Sequence, residues 1–362
     1  MANSYLETSF IDYWDEVIRQ WLQLDVDSKG DINPNGFDGV AAQQIRVINA
    51  INENCKNSDL YKLNTMHMPE PYWGNPLNCS IVLLDYNPAG GPDDNRHTTI
   101  KFKDGDEKGM TLIKHVKDEK SYSSFANKCP VFRDAEDLEN DGMGWFCDED
   151  NGYEGYHWWQ NKRGWLDHLV EAICGKKDEK KDRPLPFGME LCGWHSMKWK
   201  NNKWIDKCRD IVDERAIQPL FAAMKNSLKD SMIKIAVCIG AEFNFNMLKT
   251  FFSDKIIDVT KKICDSLDNE ISMQESDFDN LHYYVSPKSE NIHVVAKWQY
   301  VMKRKKVIAY EEKQRNYRVF KITDNNEKYY IVNTNSSGSN HHPGEHFWPF
   351  EKVLIDRIQK LP

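Results

Sequence analysis

The stretch that most restricts the fold is Ile81-Val-Leu-Leu84, a short apolar run that stops at Asp85-Tyr-Asn-Pro-Ala-Gly-Gly91. A run this short, β-branched at its start and apolar on both faces, suits a buried strand better than a helix. Asp85, Tyr86 and Asn87 then stand where the strand ends. Pro88 removes a backbone donor and fixes φ, while Gly90 and Gly91 let the main chain approach a ligand closely. In an open α/β sheet the crevice beyond the carboxyl ends of the strands is the usual ligand site. Chemistry is therefore expected first at this strand end.

The same arrangement recurs. Phe187 to Leu191 reads as a second strand that ends in Cys192-Gly-Trp-His-Ser196. Ile233 to Ile239 reads as a third, followed by Gly240 and an apolar helical pattern through Met247, Leu248 and Phe252. Strand, glycine and helix in alternation argue for parallel βαβ units. Elsewhere, Trp14, Val17, Ile18 and Trp21 have helical spacing, with a capping box at Ser9 and Asp12. Val40 to Ile51 is helical too, and Leu166, Leu169, Val170 and Ile173 continue the pattern after Trp165. Tyr317 to Ile322 and Lys328 to Val332 alternate like a hairpin around Asp324-Asn-Asn326, and Phe347 to Ile358 forms a last amphipathic helix. Residues 92–152 are acidic and poorly periodic, which points to an insertion that is either a lid or a solvated surface loop.

A chain of 362 residues with 40% hydrophobic residues can bury a sizeable core without staples. Its net charge of -8 gives no global attraction to phosphate, so nucleic-acid binding would need a local basic groove. The strongest basic patch is Lys297 with Lys303-Arg304-Lys305-Lys306, interleaved with Trp298 and Tyr300. It reads either as a nucleic-acid footprint or as the solvated face of a helix. The nine cysteines are scattered, with no C-x-x-C pair, and imply a reducing compartment and no zinc or iron-sulfur site. His341-His342-Pro-Gly-Glu345-His346 has ligand-type residues, but Pro343 and Gly344 break any helix that would gather them, so a polar loop is expected and no metal. No apolar run approaches the length of a membrane span and the opening residues lack a leader pattern, so a cytoplasmic protein is expected.

Taken together, the motifs resemble those of the uracil-DNA glycosylase superfamily, nearest its mismatch-specific and single-strand-selective branches. Asp85 to Gly91 resembles the family's Gly-x-Asn-Pro-Gly motif, preceded here, as is common there, by Gly74-Asn75-Pro76. Asn335-Ser336-Ser337-Gly338 resembles the family's Asn-Pro-Ser-Gly or His-Pro-Ser motif. Glu190-Leu-Cys-Gly-Trp-His-Ser196 resembles the family's second strand with its Pro-aromatic-x-Ser end, and Ile239-Gly240-Ala241 the Leu-Gly turn of a later strand. These landmarks span roughly residues 72–345.

The resemblance implies a divergent member with a three-layer α/β/α sandwich and a central, mostly parallel four-stranded sheet over residues 72–362. A helical extension would occupy residues 1–71, and the acidic insertion residues 92–152. It implies a DNA glycosylase that hydrolyses the N-glycosidic bond of uracil or a modified base in DNA by water attack at C1′. Such an enzyme needs no cofactor and takes the flipped base into a snug pocket. Asn87 would position the water. Tyr86, Pro88, Trp194 and His195 would line the base pocket. Asn335, Ser336, Ser337, Gly338, Ser339 and His341 would form the loop that contacts DNA, single- or double-stranded.

This sequence departs from the family at Asp85, where a glycine is usual, at Ala89, which replaces the glycine after Pro88, and at Ser336, which replaces a proline. Asp85 is read either as a catalytic carboxylate that stabilises the sugar cation or as a buried structural residue. The alternative to an enzyme is a catalytically inactive member that binds nucleic acid, a nucleotide or a protein partner in the same crevice.

Overall fold

In the computed structural model, Trp14, Val17, Ile18 and Trp21 form the buried stripe of the first helix, α1 (Ala2–Trp21). The structure describes residues 2–24, 32, 34–54, 62–76, 78–85, 110–148, 156, 159–160, 163–174, 185–190, 192–195, 234–239, 248–249, 252–275, 278–302, 307–336 and 347–362. The chain divides into two compact units, Met1–Asn161 with Pro184–Ser227, and Lys162–Arg183 with Leu228–Pro362.

In the first unit α1 packs on α2 (Val40–Asn54), and the Trp21 indole N–H donates to the Thr65 carbonyl at 2.9 Å. Helix α1 begins seven residues before the expected cap, so Ser9 sits inside it. Three short strands follow: β1 (Tyr72–Trp73), β2 (Val82–Asp85) and β3 (Phe187–Glu190). Strands β2 and β3 are parallel, with Val82 opposite Phe187 and Asp85 opposite Glu190. On the other side of β3, β1 pairs antiparallel, with Tyr72 opposite Met189.

The acidic stretch read as an insertion or lid is folded over residues 110–148. It contains α3 (Met110–Asp118), α4 (Tyr122–Ala126) and α5 (Ala135–Asn140), with 3-10 turns at Pro130–Phe132 and Gly144–Phe146. Tyr122, Phe125, Phe132, Leu138 and Phe146 are buried there. The Ser121 hydroxyl caps α4 by accepting the Ser124 N–H, and the Ser123 N–H donates to Asp15 of α1 at 2.8 Å. Helices of five or six residues show at most two apolar positions per face, too few for a 3.6-residue period to emerge from sequence.

The second unit contains α6 (Arg163–Cys174), β4 (Lys234–Ile239), β5 (Ile256–Asp258), α7 (Thr260–Cys264), β6 (Glu270–Glu275), β7 (Phe278–Lys288), β8 (Asn291–Met302), β9 (Val307–Asp324), β10 (Glu327–Ser336) and α8 (Trp348–Gln359). Its strands run in the order β4-β10-β9-β8-β7-β6, with β5 also on β9. Strand β4 is parallel to β10, and every other pairing in this unit is antiparallel.

The α/β class is as expected, but the sheet is mixed and mostly antiparallel, not a mostly parallel sheet of four strands. Tight turns dictate this. Asn325 and Asn326 both have positive φ (48° and 68°), the primed geometry that folds β9 straight back into β10. Ser289, at φ 59°, lies in the two-residue turn between Lys288 and Asn291. Lys297 and Trp298 lie on β8, so the helical reading of that basic patch is replaced by a strand, and residues 303–306 lie outside the described residues.

Candidate active site

Strands β2 (Val82–Asp85) and β3 (Phe187–Glu190) run side by side, and each has an acidic residue at the last position. Asp85 and Glu190 are register partners in a parallel pair, so their side chains leave the same face of neighbouring strands about 4.8 Å apart. The Glu190 Oε2 atom is buried and has no hydrogen-bond partner among the described residues. Burial, then repulsion from Asp85 and from Glu70, push the Glu190 carboxyl well above the ordinary carboxylate range. Two carboxylates so placed do not both ionise readily, and the one with the shielded oxygen keeps the proton.

Backbone pairing holds this corner in place. The Glu190 N–H donates to the Pro71 carbonyl at 2.9 Å, and the Glu70 N–H to the Gly193 carbonyl at 2.8 Å. A Cβ at Gly193 would lie 2.8 Å from Cη2 of Trp14 and 3.1 Å from Pro71, which leaves room only for glycine unless one of them moves. Glu70 is itself buried, with Oε1 at 3.5 Å from Nε2 of His195. That Nε2 lies 3.1 Å from the Met68 carbonyl, which can only accept, so Nε2 carries the proton. The His195 carbonyl accepts the Asn64 N–H at 2.8 Å, and the His67 ring centroid is 5.0 Å from that of His195. Tyr122 seals one side by donating its hydroxyl to the Tyr72 carbonyl at 2.6 Å. Burial, with the charges of Glu70, Tyr72 and Glu190 behind it, pushes that phenol well up.

Of the residues singled out from sequence, Asp85, Trp194 and His195 belong to this first unit. Trp194 is fully buried and donates its indole N–H to Oε1 of Gln44 at 2.6 Å, and His195 is 3% exposed. Tyr86, Asn87 and Pro88 follow Asp85 directly in the chain and lie outside the described residues. Asn335 and Ser336 end β10 in the second unit, opposite Asn316 and Arg315. Ser337, Gly338, Ser339 and His341 are outside the described residues as well. Burial pushes the Cys192 thiol up to about 12, and its Sγ–H reaches the Trp194 carbonyl, which removes it as a thiolate nucleophile.

Sequence reasoning passed over Glu190, Glu70 and His67 as site residues. Glu190 carried the same signal as Asp85, an acid at the end of a short apolar strand. Glu70 sits between two prolines and gives no such signal. Among the described residues no group of three or more His, Cys, Asp or Glu side chains is arranged to hold a metal ion. Compared with protein-family models, curated proteins and solved structures, the chain matches none.

Proposed function

We propose that this protein hydrolyses the N-glycosidic bond of uracil or a modified base in DNA, with Asp85 and Glu190 as a working pair and Asn87 as the residue that positions water. The observation that carries the reading is the pair itself: two acids in register at the carboxyl ends of parallel strands, at the start of the segment that resembles a glycosylase motif. Cleavage of a glycosidic bond builds positive charge on the sugar, which an ionised carboxylate stabilises. As the C1′–N bond breaks, its electron pair leaves with the base. Water adds to C1′, its proton passes to Asp85, and Glu190 donates a proton to the departing base. A raised Glu190 suits the second task.

The test is single-turnover base release from single- and double-stranded oligonucleotides carrying uracil, mismatches or modified cytosines. Release is expected from the wild type, with a loss of about 10²- to 10⁴-fold in Asp85→Asn, the scale of a positioned acid or base. Asn87→Ala should lose release as well. The rate should fall as pH rises through the elevated Glu190 value, because the acid form is the active one, and Glu190→Gln should lack that alkaline limb. Release unchanged in Asp85→Asn, or none from any substrate, would overturn the reading. Binding without release would move the protein to the inactive class.

A further inference from the structure

Beside the buried stripe of α1, Asp15, Arg19 and Leu22 follow one another at steps of four and three residues and so share a neighbouring side of the helix. Between that side and the junction of α3 with α4 lies a cavity of about 250 Å³. An apolar cavity of about 150 Å³ is enough to hold benzene, so this one has room for roughly eight to ten heavy atoms. Its apolar part is made by Ile18 and Val116, both buried, by half-buried Leu22 and by Tyr122, whose hydroxyl is engaged with the Tyr72 carbonyl. All of these residues belong to the first unit.

The charged groups around the cavity are not equivalent. Arg19 is forked onto both carboxylate oxygens of Glu16, at 2.7 and 2.6 Å. Asp15 accepts both the N–H and the hydroxyl of Ser123, and burial raises its carboxyl although those hydrogen bonds pull it down. Lys120 stands apart. Its neighbour Glu119 pairs with Lys128, and Lys120 itself makes no ion pair among the described residues. The backbone of Lys120 is left-handed, at φ 68°, in the place just after a helix where glycine is the usual residue. A long side chain is thus kept where the backbone would favour none, and it brings an exposed ammonium to the rim of an apolar cavity.

We propose that this cavity binds a small aliphatic monocarboxylate, with the carboxylate at Lys120 and the hydrocarbon chain along Ile18, Leu22 and Val116. An aliphatic chain matches the branched side chains of the floor, and its removal from water supplies most of the affinity. Lys120 sets the sign of the head group. A cationic head would meet that ammonium and find Asp15 already engaged by Ser123. A dicarboxylate or a phosphate would call for a second cation, and Arg19 is committed to Glu16. The inference rests on no part of the base-excision reading.

The test is isothermal titration calorimetry of the full chain with octanoate, and with butanoate, hexanoate, octan-1-ol and octylammonium for comparison. Saturable one-to-one binding of octanoate is expected. Affinity should rise about twofold to fourfold for each CH₂ from butanoate to octanoate, as for a chain partly or wholly buried. Lys120→Gly should weaken octanoate about threefold to fivefold, the scale of one ion pair at an exposed rim, and leave octan-1-ol unchanged. Glycine suits the left-handed backbone, so this variant keeps its fold, and Lys120→Arg should retain binding. Leu22→Ala, at a half-buried position, should weaken both ligands alike. No binding of octanoate, or uptake at many sites without saturation, would overturn the inference. So would octan-1-ol or octylammonium binding as tightly as octanoate, because the cation would then not select the head group. A Lys120→Gly protein that binds octanoate as the wild type does would overturn it too, and would leave Lys120 as a charge that complements the carboxyl end of α3.

Discussion

Each unit of the molecule shields a glutamate, and the two are treated in opposite ways. In the second unit Glu351 accepts the Trp165 indole N–H at Oε2 (2.7 Å) and the Tyr317 hydroxyl at Oε1 (2.8 Å). The Arg315 guanidinium lies 3.7 Å from that Oε1 and over the Phe347 ring. Burial raises the Glu351 carboxyl, and Arg315, Trp165 and Tyr317 each pull it back down. In the first unit burial raises Glu190, and both further influences, Asp85 and Glu70, push the same way. Glu351 is thus satisfied from every side, as structural polar groups are. Glu190 has an oxygen without a partner among the described residues and like charges for neighbours, the setting that raises a carboxyl without compensation.

The sharpest way to break that contrast is Glu351→Ala. It would remove the carboxylate that lies beside the Arg315 cation, which is 1% exposed and stacked over Phe347. Removing one partner of a buried ion pair costs about 3–5 kcal/mol. Urea denaturation should show a loss of that size. A loss under about 1 kcal/mol would mean that the network adds little to the fold and that the contrast is empty.

Glu190→Gln probes the other side and should act in the opposite direction. Below about pH 4.5, the ordinary value, the carboxyl is protonated whether the chain is folded or not, so the substitution changes little. Above it the unfolded chain ionises while the folded carboxyl still holds its proton. The wild type therefore loses stability as pH rises toward the elevated folded value, by at most about 1.4 kcal/mol per pH unit. Glutamine, a neutral mimic of the acid, removes that loss. The expected result is a variant equal to wild type near pH 4 and more stable at pH 7. A difference that does not grow with pH would remove Glu190 as the residue whose charge is suppressed.

These two sites differ in how far the sequence announced them. Strands β2, β3 and β4 were legible as short apolar runs, and the β9–β10 hairpin from alternation around Asn325 and Asn326. So was Asp85 as a strand-end residue. What stayed hidden depends on long-range pairing. That β3 lies parallel to β2 in the register that sets Glu190 beside Asp85 is fixed across about a hundred residues of chain, and no local pattern encodes it. The β7–β8 hairpin was legible in principle, since Ile292, Val294, Ala296 and Trp298 alternate strictly, but the clustered lysines after it suggested a helix face instead. Glu351 was hidden as well, because an acid in the first turn of an amphipathic helix ordinarily faces solvent and favours the helix N-terminus. Only the fold shows that Trp165 and Tyr317 meet it.

The smallest expected effect separates a tolerated orphan from a useful one. Thr334, on β10, is 2% exposed, and its Oγ1 is buried without a hydrogen-bond partner among the described residues. It lines a small cavity with Trp165, Leu169, Val237 and Glu351. A neutral hydroxyl left this way costs far less than a carboxylate, and Val has the same shape without the polar atom. Thr334→Val should raise stability by about 1 kcal/mol or less, with no dependence on pH, in contrast to Glu190→Gln. Destabilisation instead would mean that the hydroxyl anchors a water in the cavity, since losing a bridging water leaves its other partners unsatisfied. Thr334 would then join the satisfied network around Glu351, and its contrast with the orphan oxygen of Glu190 would sharpen.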